Sequence, residues 1–189
     1  MNRKLLFLLC MAAVCFSAPR ASAQYFSVGI NAPMLASGTL NVTLEAAVAP
    51  HWSVELALLA NPVSTERLGL TAAALQPGVR YWFFEEYAGH FLAMHAALAS
   101  YNVWNASHRH KGWLSGAGIS YGYCWPLSAR WNMTLEGGIG IYHMRESEKR
   151  RFTPDSEPEY IRHHRRWVFG PSKCALTFSY LFYSIFTQS

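Results

Sequence analysis

Five charged residues fall where a charge is costly to hide: Glu45, Glu55, Arg80, Glu136 and Lys173. Each lies within a segment that alternates bulky apolar residues with small or polar ones, and each shares the parity of the small and polar set. Residues of one parity share one face of a β-strand, so the five converge on a common interior, with Gln76 and His95 on the same side. Such a set supports two kinds of chemistry. Around a water-filled bore these groups would gate or select ions; desolvated, they must pair with one another into a structural network. The interior of an eight-stranded barrel only just accommodates side chains, whereas open channels use many more strands. That favours the filled interior over the bore.

A second concentration of charge is the stretch Glu146 to Arg166, ESEKRRFTPDSEPEYIRHHRR, read as a long external loop. Lys149, Arg150, Arg151, Arg162, Arg165 and Arg166 would suit an anionic partner such as lipopolysaccharide phosphate or a surface glycan. Five acidic residues are interspersed among them, so a solvated loop with nearly balanced charge is the plainer alternative. His108, His110, His163 and His164 lack the fixed spacing of a zinc motif, and no metal or cofactor is expected. Ser107, His108 and Ser147, with Glu146 or Glu148, supply the residue types of a lipid-modifying hydrolase. No spacing selects a triad from them, and no enzyme is expected.

The elements that must position these residues are long alternating strands. From Gly112 to His143, two of them flank a tight polar turn: Trp113, Ala117, Ile119, Tyr121, Tyr123 and Trp125 oppose a parity of Gly and Ser, and Trp131, Met133, Leu135, Ile139 and Ile141 repeat the arrangement. Each segment has about the ten residues that a tilted strand needs to cross a bilayer. The remaining spans read as Tyr25 to about Leu35, Leu40 to Val48, Trp52 to Ala60, Leu70 to Phe84, His90 to about Tyr101, and Trp167 to about Phe182. Pro33 and Pro77 each interrupt a ladder. An even count of eight puts both termini on one side, the periplasmic side of a bacterial barrel. The short connections then fall there and the longer ones, Asn61 to Arg67, Asn102 to Lys111 and Glu146 to Arg166, fall outside. Trp52, Tyr81, Trp82, Trp125 and Trp131, with Phe83, Tyr87 and Phe91, cluster beside the short turns and predict a periplasmic aromatic girdle.

Met1 to Ala23 has a basic start, an apolar run from Leu5 to Phe16 and Ala21-Ser22-Ala23, which predicts a secretory signal peptide ahead of a domain from Gln24 to Ser189. Removing Arg3, Lys4 and Arg20 from 16 basic residues leaves 13 against 11 acids, so the formal charge falls from +5 to +2. A nucleic-acid-binding role loses its compositional support. Cys10 and Cys15 belong to the leader; by parity Cys124 faces in and Cys174 out, which argues against a disulfide.

The segments Leu75 to Phe83, Gly89 to Leu92, Gly112 to Tyr123 and Phe169 to Lys173 resemble an uncharacterised family of small outer-membrane proteins from the Bacteroides group, a domain of unknown function. The similarity covers most of the chain after the leader and departs from the family at Val63, where Trp usually follows Asn-Pro. It implies a β-barrel membrane protein with no assigned activity, often accompanying fimbrial surface proteins. Separately, Lys173-x-Ala175-x-x-Phe178-x-Tyr180 resembles the signal by which barrel-assembly machinery recognises a last strand, with Ala175 in place of the usual Gly.

The expected molecule is therefore all-β: an eight-stranded antiparallel transmembrane β-barrel of the bacterial outer membrane with a side-chain-filled lumen. Its expected role is structural, or one of surface interaction through the external loops. A narrow solute channel and a lipid-modifying hydrolase are the alternatives.

Overall fold

The period-two alternation that runs through the chain is followed by the backbone. The computed structural model describes residues 25–62, 68–105, 108–150 and 161–183, so the expected leader and Arg151 lie outside the described residues. Eight strands follow in order: β1 Tyr25–Asn31, β2 Leu40–Ala49, β3 Trp52–Asn61, β4 Leu68–Trp82, β5 Gly89–Asn105, β6 His108–Pro126, β7 Trp131–Arg150 and β8 Ile161–Tyr183. Every strand pairs antiparallel with its sequence neighbour, and β1 pairs with β8, so the sheet is a closed barrel without a free edge.

The first span is shorter than expected. Pairing stops at Asn31, and Ala32–Ala36 forms a single helical turn, α1, with Pro33 in its first turn. Proline lacks the N–H that a ladder needs, while its fixed φ suits a helix start. Pro77 stays in β4 at a different cost. The β4–β5 ladder is paired at Leu75 and Leu98, skips Gln76 and Pro77, and resumes at Gly78 and His95 in the same register.

Other strands are longer than expected. The sequence of Asn102 to Lys111 and Glu146 to Arg166 reads as loop, yet residues 102–105, 108–111, 146–150 and 161–166 continue the strands. Each further cross-strand pair satisfies backbone groups within the sheet. Strands β4 to β8 run 15 to 23 residues against 7 to 10 for β1 to β3, so one side of the wall stands taller.

Along β8 strict alternation from Lys173 would turn Phe169 and Trp167 into the bore. A bulge prevents it: Gly138 pairs with Lys173, but the next residue, Ile139, pairs with Pro171, leaving Ser172 as the extra residue. Bulges are one of the few places where a sheet tolerates proline. Trp167 and Phe169 are consequently exposed outside while Lys173 remains inside.

Exterior and interior are inverted relative to a soluble domain. Ile30, Leu58, Leu92, Met94, Ile119, Leu135, Ile139 and Phe178 are exposed, whereas Glu45, Glu55, Arg80, His95 and Glu136 are buried. Cys124 is buried and Cys174 exposed, both as free thiols.

Candidate functional site

Glu45 on β2 and Glu55 on β3 are cross-strand partners. Glu55 in turn pairs with Gly78 on β4, where a Cβ would lie only 2.9 Å from the Glu55 Oε1 atom. The missing side chain leaves room for Arg80, two residues along the same face, to reach the carboxylates. Arg80 Nη1 contacts Glu45 Oε2 at 2.5 Å, and Nη2 contacts both Glu55 Oε2 and Glu136 Oε2 at 2.7 Å. One guanidinium thereby ties β4 to β2, β3 and, across the bore, β7. Its planar fork of donors suits this better than an ammonium. Lys173 on β8 completes the set, bonded to Glu55 and, at 3.0 Å, to Glu136 Oε1. The parity reading thus brings all five residues together. Gln76 sits beside them, donating to the Ser172 carbonyl at 3.4 Å.

Hydroxyls supply further support. Ser53 donates to Glu45 Oε1 at 2.5 Å and Ser120 to Glu136 Oε1 at 2.6 Å. Charge-assisted bonds of this kind are stronger than neutral ones and hold a desolvated carboxylate in place. Every charged side chain of the network is at most 8% exposed. On the side of the network facing α1, a cavity of about 250 Å³ is lined by Asn41, Thr43, Gln76, Ser172 and Met34 of α1.

On the other side, toward the termini, the bore is filled by aromatic rings. Phe91 lies under Arg80, with the guanidinium carbon 4.6 Å from its centroid, and Trp82 packs against Phe91 at 4.8 Å. Both rings are 0% exposed. Trp82 also donates its indole N–H to Ser53 Oγ at 2.9 Å, which joins the apolar plug to the charge network. Room for the rings comes from glycine: a Cβ at Gly122 would lie 2.3 Å from Phe91 Cζ.

The plug is finished by a turn residue. Tyr87 takes a left-handed backbone conformation, φ 63°, and folds its ring back into the barrel end, 5.8 Å from Trp82. Its carbonyl accepts from Cys124 Sγ at 3.0 Å and Asn132 Nδ2 at 3.2 Å, and its hydroxyl donates to the Tyr25 carbonyl at 3.0 Å. Left-handed backbone is unfavourable for a residue with a side chain, and these bonds offset it. Burial, and then the nearby Glu45 charge, push the Tyr87 phenol well above the usual tyrosine range.

These placements correct the girdle. Trp52, Tyr81, Trp125 and Trp131 are exposed on the outside beside the turns, with ring contacts such as Trp52–Tyr81 at 5.0 Å and Trp131–Tyr180 at 5.3 Å. Trp82, Tyr87 and Phe91 do not join them. Trp82 shares the parity of Arg80, and that parity, rather than nearness to a turn, is the signal for its place inside.

The basic cluster is also rearranged. Lys149 and Arg150 lie on β7 and Arg162, Arg165 and Arg166 on β8, rather than in a loop; Arg165 and Arg166 are exposed. Of the other candidates, Ser107 lies outside the described residues, His108 and His110 lie on β6, and the ladder places Ser147 opposite His163 and Glu146 opposite His164. In the final-strand motif, Lys173 is committed to the network, Ala175 is buried and Phe178 is exposed.

No curated protein matches the chain. A family model described as "Protein of unknown function (DUF3575)" matches residues 6–182, most of its length, and the chain belongs to that family.

Proposed function

We propose that this protein is a bacterial outer-membrane β-barrel with a side-chain-filled lumen, acting as a structural or surface-interaction protein through the end opposite its termini. The observation that carries this reading is the inverted distribution of side chains: a continuous apolar exterior around a buried charge network. A contiguous apolar surface of that kind calls for a membrane or a protein partner, and a closed barrel satisfies every wall strand's backbone within the sheet. The Trp and Tyr residues around the terminal end suit a membrane interface. Insertion would rely on the barrel-assembly machinery reading the Lys173 to Tyr180 strand, and the Bacteroides-type resemblance suggests a fimbrial or other surface protein as partner.

The interior argues for this role over a narrow solute channel. A permeating ion would have to displace Trp82 and Phe91 and break bonds to Arg80. The test is fractionation with outer membrane, faster migration of the unboiled protein than of the boiled protein, and planar-bilayer recording. Recovery as a soluble periplasmic protein would overturn the reading, and steady conductance would replace it with the channel.

A further inference from the structure

A second like-charged pair stands on the outside of the tall wall. Arg145 on β7 and Arg165 on β8 are cross-strand partners, and both are exposed. Trp113 on β6 is the partner of Arg145 on its other side, and the Arg145 guanidinium carbon lies 4.9 Å from the Trp113 centroid, which holds the cation on the outer face. Like charges directly opposite one another repel. Among the described residues no carboxylate pairs with either arginine.

The surface beneath this pair is graded. One step down the strands, the His143 ring lies between Trp113 and Trp167, 6.3 and 5.1 Å from them. The next outward row pairs Ala117 with Ile141 and Ile141 with Phe169. There a groove of about 700 Å³ runs over the backbone of Gly116, Gly118 and Gly140. Trp167 and Phe169, at 73% and 69%, are the two most exposed large apolar side chains among the described residues. Among the described residues nothing covers them, and the bulge at Ser172 turns them outward. From Ile141 to Arg145 the strand rises roughly 13 Å, passing from purely apolar to aromatic to cationic.

We infer that this face binds a phosphate-bearing lipid, with an acyl chain in the glycine-floored groove and the phosphate between Arg145 and Arg165. The inference rests on the outer-membrane reading. Charge complementarity selects the occupant: an anion relieves the arginine pair, arginine matches phosphate geometry, and the groove below is lined mainly by apolar groups, with Ser115 and His143 the exceptions. A protein partner seated here would need to supply an acid at one level and a long apolar segment at the next, whereas a phospholipid or phosphoglycolipid carries both in that order.

The test uses the full chain in nanodiscs of a phosphate-free galactolipid doped with diphosphoryl lipid A or with the same lipid dephosphorylated, and measures the lipid retained by mass spectrometry. Insertion is scored in parallel for each variant by heat-modifiable migration. The phosphorylated form should be retained in preference. Each of Arg145→Gln and Arg165→Gln should weaken it about fivefold and the double variant roughly 30-fold, the effect of a basic residue near a membrane surface. Arg130→Gln, at the opposite rim, should change nothing. Trp167→Ser should weaken both lipids alike. An inserted protein that retains both lipids equally, or an inserted double variant that matches the wild type, overturns the site and leaves the barrel standing. Failure of the wild type to insert overturns the barrel reading and the site with it.

Discussion

Glu45 and Glu55 face each other across the β2–β3 ladder with both carboxylates turned into the bore, and Arg80 forms ion pairs with both, at 2.5 and 2.7 Å. Two desolvated carboxylates side by side are tolerable only with a shared cation. The interior is therefore organised around one arginine, with Lys173 as a second cation that reaches Glu55 and Glu136; no ion pair links it to Glu45.

Replacing Arg80 by Met should accordingly cost about 3–5 kcal/mol, the usual penalty for stranding a buried charge. Lys173→Met should cost less, because Arg80 still serves Glu55 and Glu136, and Lys111→Met, on the exposed surface, should cost almost nothing. Urea unfolding in detergent orders the three. If the loss at Arg80 is electrostatic, adding Glu45→Gln should recover part of it; no recovery would mean that the side chain matters through packing on Phe91 instead.

Gly122 of β6 and Gly137 of β7 are predicted to be unequal. At Gly122 a Cβ would meet Phe91 Cζ at 2.3 Å and the Leu135 carbonyl at 2.7 Å, while at Gly137 nothing lies within 4 Å. Gly122→Val should therefore cost on the order of 1–3 kcal/mol or block assembly through overpacking of the plug. Gly137→Ala should leave the unfolding midpoint near that of the wild type. Equal behaviour of the two would show that Phe91 does not need the space opposite it.

Tyr87 should make the barrel sensitive to alkali. Its phenol is held above the ordinary tyrosine value by burial, so above about pH 10 the unfolded chain ionises there while the folded one keeps its proton. The folded state then binds more protons, and stability falls as pH rises. Tyr87→Phe should lose about 1 kcal/mol near neutrality through the missing bond to the Tyr25 carbonyl, yet show a shallower decline above pH 10. Denaturant midpoints compared between pH 8 and 11 read both effects. Parallel slopes for the two proteins would place the phenol in water instead of in the plug.

How much of this was legible in the sequence depends on one property, the strict period of two. Parity alone places Glu45, Glu55, Arg80, Glu136 and Lys173 inside, Cys124 inside and Cys174 outside, because a strand with two unlike faces leaves no other arrangement. It failed where something local breaks the period or competes with it. Proline turned the end of the first span into α1, proximity to a turn disguised Trp82 and Phe91 as surface aromatics, and polar residues concealed the continuation of β5 to β8. The Arg145–Arg165 pair was invisible for a related reason. Which residues oppose each other depends on register, and the register of β8 changes at a bulge that only the paired backbone reveals.

That bulge supplies the sharpest test of the architecture. Ser172 is the residue inserted between two registers, and its side chain fills the space above glycine: a Cβ at Gly118 or Gly138 would lie 2.7 or 2.8 Å from its Oγ. Deleting Ser172 removes the extra residue, and a one-residue slip moves every following side chain to the other face. Either Trp167 and Phe169 must enter the bore, where the space opposite is narrow, or Lys173 must leave the network for the apolar exterior and strand Glu55 and Glu136. The deletion should therefore fail to assemble, scored by loss of heat-modifiable migration. Ser172→Ala keeps the residue count and removes only a hydroxyl, so it should stay within about 1 kcal/mol of the wild type. Should the deletion assemble normally while the alanine variant fails, the hydroxyl rather than the inserted residue would be what β8 requires.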